Sequence, residues 1–144
     1  MTLHIIKLCV GAESIEDLAQ WQAKRIRDQK KRGVKKPTLM HVTRMTPKRK
    51  DEVLDGGSLY WVIKGQIAVR QKLLDLKPTT KNGTPHCGLV YDPMLVPVQR
   101  RAHRAFQGWR YLDPKDAPPD ARGTKGLEKL PEDLQRELVS LGLL

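Results

Sequence analysis

The residues LHIIKLCV (Leu3–Val10) form a short run of branched apolar side chains ending at Gly11, the pattern of a buried strand. The period then changes. Ile15, Leu18, Ala19 and Ile26 share one helical face, while Lys24, Arg27 and Lys31 fall elsewhere. Ser14 stands just before this run with an acid three residues on, which predicts a capped helix start. Gly33 and Pro37 end regular structure, so KKRGVKKP (30–37) is expected to be a mobile basic loop. LMHVTRM (39–45) predicts a second strand, and Pro47 a short helix over 48–54 that Gly56-Gly57 stops.

SLYWVIKG sets Leu59, Trp61 and Ile63 against Tyr60, Val62 and Lys64, the two-residue period of a strand with two unlike faces. Residues 67–76 read as strand because Asn82-Gly83 supplies a two-residue hairpin turn and CGLVYDP (87–93) the returning strand. LVPVQ follows, then QRRAHRA as a basic linker, then FQGWRYL as a last strand. PKDAPPDARGTKG (114–126) is a Pro/Gly-rich connection. Pro131 is expected at the first position of a final helix, with Leu134, Leu138 and Leu141 inward and Gly142 as its stop. The order of strand, helix, several strands and helix predicts one α+β domain over 1–144. Its core would be a small mixed, strongly bent β-sheet or barrel between an N-terminal and a C-terminal helix.

Charge changes this picture more than composition does. The chain carries a net +11, and Lys24–Lys50 alone holds twelve Lys or Arg against one acid, Asp28. The remainder is formally neutral. A field concentrated in one segment attracts polyanions, so nucleic acid is the expected partner. A solvated basic loop, or a module docking on an acidic protein, would give the same count. No apolar run reaches the ~20 residues of a membrane span, and the N-terminal apolar stretch is short for a signal peptide. A cytoplasmic protein with no membrane partner is therefore expected. Nothing in the sequence bears on oligomeric state.

Candidate chemistry is sparse. There is no P-loop, GxGxxG, nucleophile elbow or HExxH. Cys9 and Cys87 lack CxxC partners and read as buried thiols, and His4, His41, His86 and His103 show no metal-ligand spacing. No metal or cofactor is expected. His41 with Arg44 is the one pair that could serve an enzyme acting on nucleic acid or a nucleotide, as base and oxyanion stabiliser. Trp61 and Trp109 each lie beside cations: Lys64 and Arg70 for the first; Arg100, Arg101, Arg104 and Arg110 for the second. Indole faces for bases and cations for phosphates suit single-stranded nucleic acid. Core packing under Arg stems would produce the same neighbours. Trp21 lies off the Ile15/Leu18 face and is expected to pack under a loop.

Three segments, LHIIKLCVGAESIEDLAQW, HVTRMTPKRKDEVLDGGSLYWVIKG and FQGWRYL, together resemble the bacterial family termed domain of unknown function 1489. The layout also resembles PUA-like domains of the EVE and ASCH branches: an opening strand, a Ser-capped helix, a polar strand, a glycine turn and an apolar-aromatic strand. That resemblance implies a small β-barrel that grips RNA or a modified base. His41, Thr43 and Arg44 would line the pocket mouth. Trp61 or Trp109 would supply a face, and Lys48, Arg49 and Lys50 would serve as phosphate contacts.

Overall fold

In the computed structural model, which describes residues 2–121 and 130–142, the chain forms an open, bent, mixed seven-stranded sheet with three α-helices. Strand β1 (His4–Leu8) leads into α1 (Ile15–Lys31), then β2 (Leu39–Thr43), a short α2 (Lys50–Val53) and β3 (Ser58–Ile63). The antiparallel strands β4 (Gln66–Lys81), β5 (Thr84–Tyr91) and β6 (Val96–Ala102) follow. Strand β7 (Trp109–Leu112), a 3-10 turn at Pro114–Asp116 and α3 (Glu132–Ser140) complete the chain. Strand order is β2-β5-β4-β3-β1-β7, with β6 on β4, and β1 runs parallel to β3.

Local chemistry explains most boundaries. Ser14 Oγ accepts from the Asp17 N–H at 3.0 Å, which starts α1 as its pattern predicts. Asn82 and Gly83 have φ of 53° and 77°, the left-handed pair a tight hairpin demands, and Lys81 faces Thr84 across them. The double glycine before β3 divides two tasks. Gly56 takes a φ of 81°, and at Gly57 a Cβ would lie 2.2 Å from the Val53 carbonyl oxygen and 2.3 Å from that of Leu3.

The bend comes from β4. Its register shifts twice, at Ala68 against β3 and β6 and at Leu74 against β5. Each bulge turns the strand, so one 16-residue element pairs β3 with its first half and β5 with its second. The curvature brings the ends of the sheet together. Trp109 on β7 donates its indole N–H to the carbonyl of Met45, just past β2, at 2.7 Å, and the Tyr111 hydroxyl accepts from the Arg49 N–H at 3.0 Å.

Several expectations need correction. Strand β3 is buried along its whole length, because both faces are covered. Leu59, Trp61 and Ile63 join one cluster with Ile5, Leu18 and Tyr91, and Tyr60 and Val62 join another with Ile6, Ile67 and Val98. The basic linker QRRAHRA is largely strand β6, stabilised because Arg100 has an ion-pair partner in Glu132. The short helix shrinks to Lys50–Val53, and the basic loop starts only after Lys31. Its base is tied where Gln29 exchanges two hydrogen bonds with the Thr38 backbone, at 2.7 and 3.0 Å. Pro131 caps α3 from outside the helix, and Leu134 and Leu141 are exposed. Polar contacts hold α3 instead: Gln66 donates to the Arg136 carbonyl, and the Glu132 carboxylate accepts from the Ile15 N–H with both oxygens, at 2.9 and 2.8 Å. The expected connection over 114–126 lies partly outside the described residues.

Candidate nucleic-acid interface

A pocket of about 280 Å³ lies between the β1–α1 loop, one face of α1 and strand β2. Cys9 to Ala12 form one wall, Leu18, Trp21 and Arg25 a second, and Met40, His41 and Val42 a third, with Trp61 among the lining residues. Helical spacing produces the second wall, since residues 18, 21 and 25 are three and four apart. Trp21 is 47% exposed, and the Arg25 guanidinium sits 4.6 Å over its ring. Packing under a loop is thus not its role: an indole capped by a cation borders an open pocket.

Trp61 is core, but a core residue that reaches the pocket. It is 3% exposed, and the His41 ring meets it edge-on at 5.7 Å. A buried amide network fixes it. Gln71 Oε1 accepts from Trp61 Nε1 at 2.9 Å and from Gln22 Nε2 at 2.9 Å, while Gln71 Nε2 donates to Gln22 Oε1 and the Asp92 carbonyl. Both lone-pair sites and both N–H groups of Gln71 are therefore used. Through Gln22 the network also ties α1 to the sheet.

The pocket's electrostatics are one-signed. Among the described residues no Asp or Glu lines it. Burial holds the His41 pKa down to about 4, and the charges of Lys7, Arg25 and Lys81 push the same way. At neutral pH His41 is an uncharged imidazole, able to donate or accept one hydrogen bond and weak as a base. Cys9 is no nucleophile, since burial pushes its thiol up to about 11. Among the described residues no group of His, Cys, Asp and Glu could hold a metal.

Next to the pocket, sharing Arg25 and Met40, runs a more polar groove of about 450 Å³ that adds Arg32, Gln29, Thr38 and Asp28. The α1 side chains Lys24, Arg27, Lys30 and Lys31 are exposed beyond it, as are Lys35 and Lys36. Within the basic segment, among the described residues, only Arg49 has a carboxylate at ion-pair distance, in Glu52.

The expected contact residues scatter. His41 reaches the pocket, Thr43 is buried, and Arg44, Lys48 and Lys50 are exposed near the β2–α2 connection. Arg49 leans over Tyr111 at 5.7 Å. Trp109 is half-buried, its N–H engaged by Met45 and its ring edge-on to Tyr111 at 4.8 Å. Internal partners occupy much of the rest. Arg70 binds Asp120 at 2.8 and 2.9 Å, Arg100 is 3% exposed against Glu132, and Lys64 lies 3.6 Å from Glu13. Arg101 donates to the Asp116 carbonyl, Arg110 lies over Phe106, and Arg104 is exposed. Sequence reasoning missed Trp21 and Arg25. The signal was a tryptophan off the apolar face of a basic helix with an arginine four residues on.

The chain belongs to the family described as protein of unknown function DUF1489, whose model matches residues 5–144. No curated protein and no solved structure matches it. No helix among the described residues is long and apolar enough to cross a membrane.

Proposed function

We propose that this protein binds single-stranded nucleic acid, RNA in preference, holding one base in the Trp21–His41–Trp61 pocket and the adjoining phosphates along α1. One observation carries the reading: a pocket with no acid among its described lining residues opens beside a helix face whose cations have no acid at ion-pair distance among the described residues, and Arg25 belongs to both. Its volume is just under the ~300 Å³ where small-molecule sites begin, a fit for one heterocycle. The walls from Ala12 and Val42 would accept an alkyl group on a modified base. The layout resembling PUA-like domains is consistent with this reading. Trp109, whose indole N–H is already bonded, serves here as a seam between sheet edges rather than as the stacking platform.

The test is a binding titration of a labelled single-stranded oligoribonucleotide over a range of salt. The log–log slope should be roughly −0.7 per phosphate neutralised. Trp21→Ala should cost roughly 1–3 kcal/mol of affinity, the stacking range, with that slope unchanged. Replacing Lys24, Arg27, Lys31, Lys35 and Lys36 by Gln should flatten the slope. Binding that ignores both changes, or acidic protein captured in place of RNA, would refute the proposal.

A further inference from the structure

We infer that the groove beside the pocket holds the ribose of the bound nucleotide and that Asp28 accepts a hydrogen bond from its 2′-hydroxyl, so that this aspartate selects RNA over DNA. This rests on the nucleic-acid reading above and assigns its RNA preference to one residue.

Pocket and groove share a wall. Arg25 and Met40 line both, and both are held in place. The Arg25 guanidinium sits 4.6 Å over the Trp21 ring. Met40 packs onto Gly88 of β5, where a Cβ would lie 2.3 Å from its sulfur. A base is bonded directly to its sugar. A base in the pocket with its glycosidic bond toward this wall therefore puts its ribose in the groove.

Four groove residues, Arg25, Asp28, Gln29 and Arg32, come from one face of α1 and its C-cap. Gln29 is already occupied, since its amide exchanges hydrogen bonds with the Thr38 backbone at 2.7 and 3.0 Å and so ties the two sides of the groove together. Arg25 and Arg32 are suited to phosphates. Asp28 is the anomaly. It is the one acid among the twelve cations of Lys24–Lys50, and Lys24, Arg25, Lys31 and Arg32 all stand three or four residues from it along the helix. Yet among the described residues its carboxylate is at ion-pair distance from none of them. Arg32 Nε instead lies 3.4 Å from the Asp28 main-chain carbonyl. A groove that held only phosphate would be weakened by this charge. A carboxylate only accepts hydrogen bonds, and a phosphodiester has none to donate. Inside a strand the 3′ and 5′ oxygens are esterified, so the 2′-hydroxyl is the one donor on the sugar, and deoxyribose lacks it. An acid on a ribose 2′-hydroxyl is also how dinucleotide-binding folds recognise their sugar.

The experiment titrates the full chain with one labelled single-stranded sequence in all-ribo and all-deoxy form. Further strands carry a single 2′-deoxy or 2′-fluoro change at each position in turn, the fluoro sugar keeping an RNA-like pucker without the donor. With the wild-type protein one position should lose roughly tenfold on either change, near the low end for a hydrogen bond to a charged group. Asp28→Ala should erase that loss and bring the RNA and DNA affinities together, DNA binding more tightly because a charge that repels phosphate is gone. Folding is not at stake, since Asp28 is exposed and alanine favours a helix. A purely electrostatic role would strengthen both strands alike and leave their ratio where it was. An unchanged ratio in Asp28→Ala, or a loss spread evenly over all positions of the strand, overturns the inference while nucleic-acid binding stands. So does equal binding of RNA and DNA by the wild-type protein. If neither strand binds, the reading beneath it fails as well.

Discussion

Replacing Gln71 by Met should destabilise the protein far more than its size suggests, because the side chain is a junction. Met has nearly the same length and volume, so little cavity or overpacking follows. What changes is hydrogen bonding. Gln71 is fully buried, and its removal strands the Trp61 Nε1–H and the Gln22 amide; the Asp92 carbonyl, on a half-exposed residue, can turn to water. A buried polar group left unsatisfied costs about 1–3 kcal/mol. Two such groups give a loss of about 2–6 kcal/mol, a large share of the ~5–15 kcal/mol stability of a typical domain.

The sharper form of the prediction is non-additivity. The double variant Gln22→Met/Gln71→Met removes both amides together and leaves the Trp61 N–H and the Tyr91 hydroxyl, which Gln22 also engages, without their partners, so its cost should fall about 1–3 kcal/mol short of the sum of the two singles. Urea unfolding followed by circular dichroism and by tryptophan fluorescence gives both numbers, provided the m-values agree. Because Gln71 orients Trp61 and Gln22 holds α1, the single variant should also weaken oligonucleotide binding. A cost under about 1 kcal/mol, or a double variant equal to the sum of the singles, would show that the amides are not coupled as drawn.

Two further outcomes follow from charge. Glu132→Ala removes the partner of the buried Arg100 and the acceptor of the Ile15 N–H, and should cost about 3–5 kcal/mol in urea unfolding, the range for a broken buried ion pair; a loss below 1 kcal/mol would mean α3 is not clasped to α1. The His41 pKa lies at about 4 in the folded state, below its ordinary 6.5, so the unfolded chain binds the proton first. Stability from this group is full above pH 6.5 and lost as pH falls toward 4, with a slope that His41→Gln removes. After allowance for partial exposure the loss is about 1–2 kcal/mol. His4, also lowered by burial and by Arg70, contributes in the same direction and remains in the variant. An unchanged slope in His41→Gln would place His41 in solvent.

Features set by neighbours a few residues apart could be read from the sequence. Ser14 caps α1, and Asn82-Gly83 turns β4 into β5, because each depends on local backbone geometry. The bend could not be read. It follows from Ala68 and Leu74, which look like ordinary strand residues and become bulges only against their partner strands. Strand β6 was hidden for a similar reason. Its arginines suggest a solvated linker until Glu132, 32 residues away, accepts from Arg100. Leu134 on α3 and Leu141 at its C-terminal cap follow a helical spacing yet remain exposed, and hydrogen bonds from that helix run through Glu132, Arg136 and Ser140.

The candidate site shows the same division at the level of charge. Outside Lys24–Lys50 the chain is formally neutral. The fold turns part of that balance into contacts: Arg70 meets Asp120, Arg100 meets Glu132 and Lys64 meets Glu13. Charge used in this way has little left for a ligand, because a phosphate would have to displace an acid already in place. The segment Lys24–Lys50 has one acid for twelve cations and cannot balance itself. Wherever the chain packed that segment, its field would point outward. Folding α1 against the sheet therefore fixes where the field emerges, along the helix edge that carries Trp21 and Arg25.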